Sequence, residues 1–279
     1  MLCDLHIHSW HSDGTWSPEQ IAIVCKEKGI SCFSITDHNL LSAYPEAMQC
    51  AQKYGLTCIP GVEIDCILDG KSYHILGYQV NTDYEPLRSL LKKARTVLDQ
   101  MSDRLIEAIE HSPFDLSHPV SMQDYLSYTY HPSLGGWKGL NYVIDRKLAH
   151  DFDSAMALYS RYHITYEKSA FPSMQETCKA IVAAGGYPVL AHPSNYFPLL
   201  DDTLEENLLK TVQAGVQGVE CYYPAQSEEY RSRCTAFCKE HQLFITCGGD
   251  SHGEFQKDID GIRYEIGAAS VDSSKLCLR

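Results

Sequence analysis

Short apolar runs alternate with amphipathic stretches along most of the chain. Residues 3–8 alternate with period two, which predicts a strand with His6 and His8 on the same side. Ser17-Pro18-Glu19-Gln20 predicts a helix start, with Ser as N-cap, Pro at the first helical position and Gln closing a capping box. Its apolar positions are Ile21, Val24 and Cys25, and Gly29 ends it. A strand is expected at 30–35, a helix at 45–54 stopped by Gly55, and strands at 56–64 and 72–80. Residues 85–111 show a helical repeat of Leu87, Leu90, Leu91, Ala94, Leu98, Met101, Leu105 and Ile109. The rhythm breaks from 113 to 171, a stretch rich in Tyr, His, Gly and Pro that reads as an inserted, mainly helical cap. It then resumes with helices at 173–184, 204–214 and 227–242 and strands at 187–191, 216–222 and 243–247. Strands alternating with helices argue an α/β fold with a parallel sheet.

With 279 residues, 44% of them hydrophobic, the chain suits one α/β domain formed by 1–112 and 172–279, with 113–171 inserted. No apolar run reaches membrane-spanning length, and the N-terminus lacks a basic region followed by an apolar stretch. A cytoplasmic protein without a membrane partner is expected. The twelve cysteines are irregularly spaced, contain no C-x-x-C and fall mostly in apolar runs, so they read as buried, reduced thiols. The formal net charge of −13 disfavours a long nucleic acid as partner. The densest basic run, K-K-A-R at 92–95, reads as a solvated helix face. A small phosphorylated substrate, a nucleotide or short oligonucleotide end among them, remains compatible. The oligomeric state is not legible.

Nine metal-seeking side chains follow apolar runs: His6, His8, Asp13, His38, Glu63, His74, His192, Asp250 and His252. Histidine with carboxylate and without cysteine suits borderline divalent cations such as Mn²⁺, Fe²⁺ or Zn²⁺, with Mg²⁺ a further candidate. Ligands that follow so many separate strands argue a closed barrel with its chemistry at the C-terminal strand ends. His6 and His8 on one strand face beside Asp13 are costly without a shared cation. Two glycines before Asp250 and one after His252 give close backbone access there. His11, between the matched positions, reads as a bystander or substrate contact, and His131 as structural. Glu220 reads equally as a rim salt-bridge partner or as a group supporting the ligands. Trp10, Trp16, Tyr222 and Tyr223 read as packing residues ahead of base-stacking ones.

D-L-H-I-H-S with H-S-D-G, then T-D-H, G-V-E-I, H-I-L-G-Y, A-H-P and G-G-D-S-H-G together resemble the motifs of the PHP (polymerase and histidinol phosphatase) family of metal-dependent phosphoesterases, over residues 1–80 and 173–265. The resemblance implies a distorted (β/α)₇ barrel with a trinuclear metal site. It assigns His6, His8, Glu63 and Asp250 to one metal, and Asp13, His38 and His252 to a second. His74, His192 and a bridging Glu63 fall to a third. Two to three divalent ions outweigh the three carboxylates and leave a positive pocket in an acidic protein, suited to a phosphomonoester. Asp13, His192, Asp250 and His252 are the expected catalytic residues, hydrolysis proceeding by attack of a metal-activated hydroxide. Asp4 would support the histidine pair, and Asp37 would fix the tautomer of His38.

The motif order looks most like the branch that hydrolyses nucleoside 3′,5′-bisphosphates and trims short RNA from its 5′ end. That branch's Gly-Arg-Pro-His-like phosphate-binding string is replaced here by G-G-W-K-G-L-N-Y-V-I-D-R-K-L-A-H, which leaves Lys138, Arg146 and His150 as candidate substrate contacts. A histidinol-phosphate phosphatase is the alternative enzyme, with Asp145, Asp151 or Asp153 meeting the substrate amine. A non-catalytic metal-binding regulatory module is the alternative of another class.

Overall fold

The computed structural model describes residues 1–112, 120–199 and 202–276. The strands form two main sheets. The first orders β11-β1-β2-β3, with β1 at Leu2–Ile7, β2 at Cys32–Ile35, β3 at Thr57–Cys58 and β11 at Val271–Asp272. The second orders β4-β5-β6-β7-β8, from Gly61–Leu68, Lys71–Tyr78, Tyr187–Leu190, Gly218–Tyr222 and Phe244–Cys247. β9 (Asp258–Ile259) and β10 (Ile262–Arg263) make a separate hairpin.

The mixed α/β character matches the sequence expectation, but a wholly parallel sheet does not. β5 runs antiparallel to both β4 and β6. The reason is local: Asp69 and Gly70 both take positive φ (49° and 75°), the geometry of a tight two-residue hairpin turn. The strand expected at 56–64 splits at Pro60, since proline donates no ladder bond. The closed barrel does not appear as one continuous ladder. The sheets meet through isolated bridges, Ile7 with Ser251 and His38 with Glu63. Those bridges set the ends of β1, β2, β4 and β8 side by side, and that is what assembles the site.

Helices cover the sheets. α1 (Pro18–Glu27) starts with the anticipated capping box between Ser17 and Gln20. It packs with α2 (Tyr44–Tyr54) over β1–β3, burying Ile21, Ala22, Cys25, Phe33, Ala47 and Ala51. α7 (Met174–Ala183), α8 (Leu204–Gln213) and α9 (Glu228–Glu240) cover the second sheet around Val62, Ile64, Ile75, Ile181, Leu208 and Val219. Each fully buried Leu, Ile or Val contributes about 1.5–3 kcal/mol.

α3 (Glu85–Glu110) joins two cores. Leu87 and Leu91 enter the cluster over the second sheet, while Ala94, Met101, Leu105, Ile106 and Ile109 pack against α4 (Met122–Ser127), α5 (Lys138–Asp145) and α6 (Phe152–Arg161). This helical group reaches the strand ends at two points. Gly136 N donates to Asp13 O at 2.7 Å, and the ring of Tyr166 lies 6.4 Å from that of His74. The eleven cysteines of the described residues are unbridged and buried. Among the described residues, no helix is long and apolar enough to cross a membrane.

Candidate metal centre

All nine side chains singled out in the sequence lie at one place. β1 delivers His6 and carries on to His8, both fully buried, and the two Nε2 atoms are 3.1 Å apart. Glu63 of β4 sits at the middle. Its Oε2 lies 3.1 Å from His6 Nε2, 3.0 Å from His8 Nε2 and 3.4 Å from His38 Nε2. Its Oε1 lies 3.0 Å from His74 Nδ1 and 3.1 Å from His192 Nε2. One buried carboxylate thus meets five imidazoles.

Asp250 Oδ1 is 3.3 Å from both His6 Nε2 and His8 Nε2. Asp13 faces His8 (3.4 Å), His252 (3.3 Å) and His38 (3.9 Å). Donor atoms within reach of one another group as His6–His8–Glu63–Asp250, as His8–Asp13–His38–His252, where His8 joins the three residues expected, and as Glu63–His74–His192. A fourth set, His38–Asp65–His74, was not foreseen.

The backbone is shaped for this. His192, Asp250 and Asn39, which follows His38, all adopt positive φ (27°, 50° and 57°), a conformation that costs about 1–3 kcal/mol and gathers at functional sites. Gly248 and Gly14 leave room that a side chain would fill. A Cβ at the first would collide with His6, and one at the second with the carbonyl of His8.

The charges are strongly coupled. Burial opposes ionisation of Asp13, Glu63 and Asp250, yet the surrounding imidazoles hold all three well below the usual carboxylate range. Burial alone would lower His6 and His8, but their carboxylate neighbours push both well above the ordinary imidazole value. For His74, burial is likewise overcome by Glu63 and Asp65, which raise it to about 10. His38 is lowered, chiefly by burial. Imidazoles packed nitrogen to nitrogen around carboxylates are the donor set of a borderline divalent cation. Buried His8 Nδ1, His38 Nδ1, Asp65 Oδ1 and His192 Nδ1 also lack a hydrogen-bond partner. Unpaired buried donors and acceptors are costly, and cations satisfy such a cage.

Several supporting groups differ from the sequence reading. The Asp37 carboxylate is not bonded to the His38 ring. It accepts from Ser9 N (2.7 Å), Ser9 Oγ (2.7 Å) and Ser12 Oγ (2.6 Å), so it braces the loop that presents Asp13. The partner facing His38 Nδ1 is Asp65 Oδ1, at 3.7 Å, and the same oxygen lies 3.2 Å from His74 Nε2. Asp4, in keeping with the support expected for the histidine pair, accepts from His6 N (3.4 Å) as well as from Gly249 N (3.0 Å) and Gly267 N (2.7 Å), tying β1 to the turn before Asp250. Burial, opposed by these backbone donors, raises its carboxyl to about 6.

Glu220 takes the supporting role. Its Oε1 meets His6 Nδ1 at 3.0 Å, and its Oε2 accepts from His192 N at 2.7 Å. Tyr223 donates to Asp250 Oδ2 (3.2 Å), and Tyr196 Oη accepts from His74 N (2.9 Å). His11 pairs with Ser42 (3.0 Å), and His131 with Ser133 (2.7 Å).

The three candidate substrate contacts find partners within the helical segment. Arg146 is held by Asp124 through two bonds (2.7 and 2.9 Å) and lies over the rings of Tyr128 and Tyr142. Lys138 donates to Leu126 O and covers the Tyr125 ring. His150 is exposed, and its backbone N–H bonds Ser154 Oγ.

Residues 4–126 match the PHP domain. The proteins this chain is similar to are named as exoribonucleases, phosphatases and metal-dependent phosphoesterases. The chain is 22% identical over 254 residues to the 5′-3′ exoribonuclease of Haemophilus influenzae, covering 89% of each chain. It is 24% identical over 269 residues to the 3′,5′-nucleoside bisphosphate phosphatase of Chromobacterium violaceum, covering 92% of this chain and 90% of that one. Its fold is similar to the crystal structure of a putative metal-dependent phosphoesterase from Bifidobacterium adolescentis, with a TM-score of 0.78, 24% identity, and coverage of 98% and 93%.

Proposed function

We propose that the chain hydrolyses a small phosphomonoester, a nucleoside bisphosphate or the phosphorylated end of a short oligonucleotide, at a centre of two to three divalent cations. One observation carries the reading: the two oxygens of buried Glu63 meet five imidazoles at 3.0–3.4 Å, with Asp13 and Asp250 completing the cage.

In this reading His6, His8, Glu63 and Asp250 would hold one cation, Asp13, His38 and His252 a second, and Glu63, His74 and His192 a third. Bound cations supply Lewis acidity, lower the pKa of water and clamp phosphate oxygens.

The protein's own groups set orientation. Glu220 takes the Nδ1–H of His6, leaving Nε2 as the donor into the cage. Tyr223 occupies one oxygen of Asp250 and leaves the other to face His6 and His8. Asp37 fixes Ser9 and Ser12, so Asp13 holds its place beside His252. The names of two of its relatives, the exoribonuclease and the bisphosphate phosphatase, support a phosphorylated nucleotide or RNA end as substrate.

Purified protein loaded with Mn²⁺ is expected to release phosphate from a nucleoside 3′,5′-bisphosphate and an aryl phosphate faster than from histidinol phosphate. Bound metal without release from any of them would refute the reading.

A further inference from the structure

The basic run on α3, which the sequence presents as a solvated face, lines a groove of about 560 Å³. Its lining includes Arg88, Leu91, Lys92 and Arg95 of α3 and the Asn39–Ser42 loop. The groove adjoins the metal centre. Asn39 follows His38, donates its backbone N–H to Glu63 O at 2.7 Å, and gives its side-chain amide to Asp65.

The three cations are not all neutralised in place. Arg88 meets Asp83 only at 3.8 Å, and both are exposed. Lys92 has no side-chain partner among the described residues. Arg95 bonds Asp99 through Nε at 3.1 Å and is three-quarters covered, a geometry that leaves its terminal nitrogens for another acceptor. Asp83 and Asp99 also line the groove, so it is mixed in charge rather than a broad positive field. In a protein of net charge −13, three cations along one helix face beside a metal cage are a local exception. A guanidinium and an ammonium one helical turn apart suit phosphate oxygens.

We propose that this groove seats the part of the substrate beyond the scissile phosphate, and that Lys92 and Arg95 contact a second phosphate there. The proposal rests on the phosphoesterase reading above and assigns a place to the remote anionic group of that substrate. It separates two substrate classes. A bisphosphate or a 5′-phosphorylated dinucleotide uses cage and groove together, whereas an aryl phosphate uses the cage alone.

The test has a kinetic arm and a binding arm, on the full chain and on Lys92→Gln, Arg95→Gln and the double variant. Circular dichroism checks that each is folded. In the kinetic arm, the ratio of KM for a nucleoside 3′,5′-bisphosphate to KM for an aryl phosphate is expected to rise about tenfold or more in the double variant. The bisphosphate kcat changes less, as for loss of binding shared by ground and transition states. A dinucleotide that responds more strongly than the bisphosphate identifies a diester as the group seated there. In the binding arm, calorimetric titration of the bisphosphate is expected to show the same loss of affinity. An unchanged KM ratio, or unchanged affinity in the double variant, overturns the groove. Failure of the wild-type protein to turn over any phosphoester overturns the phosphoesterase reading, and the binding arm still decides the groove.

Discussion

Asp65 offers the sharpest single perturbation. Its Oδ1 lies 3.2 Å from His74 Nε2 and 3.7 Å from His38 Nδ1, while Asn39 holds Oδ2. A carboxylate in this position takes the outer N–H of each ring and leaves the opposite nitrogen for a cation: Nδ1 of His74 and Nε2 of His38. It therefore selects opposite tautomers of two ligands. Losing such an outer partner typically costs about 10–100-fold in metal affinity or activity, or about 1.4–2.8 kcal/mol. The His74 contact is close in distance but Asp65 Oδ1 has no partner of hydrogen-bond geometry as it stands, so the upper half of that range applies if both rings turn toward it on metal binding. We expect Asp65→Ala to weaken its loosest metal about 10–100-fold. Asp65→Asn, which keeps a carbonyl acceptor but loses the charge, should fall between that variant and wild type. Competition titration against a fluorescent chelator measures this, with thermal melts of the metal-free proteins alongside. Affinity within about twofold of wild type in folded Asp65→Ala would refute the orienting role.

Asp13→Asn and His192→Ala are each expected to lose most turnover while remaining folded, checked by phosphate release together with circular dichroism. Wild-type rates in both would remove the proposed site. Gly248→Ala drives a methyl group into His6 and should destabilise the fold by about 1–3 kcal/mol and lower the metal content measured by elemental analysis. Stability should also depend on pH in opposite ways with and without metal. Without metal, His74, raised to about 10, contributes stability that is complete below its unfolded value near 6.5 and is lost as pH climbs to about 10. The depressed Asp13, Glu63 and Asp250 contribute stability present above their unfolded values near 4 and lost on acidification. Melting temperature in chelator should therefore peak between about pH 4.5 and 6.5. With saturating Mn²⁺ it should instead rise across that interval, because cations bind deprotonated ligands. Parallel curves with and without metal would contradict this.

The convergence of the nine side chains was legible from their motifs taken together more than from strand ends: His8, His38, His192, Asp250 and His252 follow strands, whereas His6, Glu63 and His74 stand within β1, β4 and β5. The helix starting at Pro18 was legible for a local reason, its capping box. Asp65 was overlooked although the signal was present: it stands two residues beyond Glu63 on one strand, so both side chains leave the same face. The antiparallel β5 was also readable from Asp69-Gly70, a strong hairpin signal that the expectation of strand–helix alternation overrode. Other features depend on tertiary contacts that no local pattern carries. Arg146 pairs with Asp124 across 22 residues, and Asp37 with Ser9 across 28. Glu220 joins His6 across 214, which is why sequence alone left its role open.

The account stands on Glu63 being the shared centre of a cation cluster, and crystals grown with excess Mn²⁺ test this through anomalous scattering. Peaks flanking both oxygens of Glu63, contacting His6, His8 and Asp250 on one side and His74 and His192 on the other, are the expected result. Manganese absent from that cage, or bound only elsewhere on the acidic surface, would contradict it.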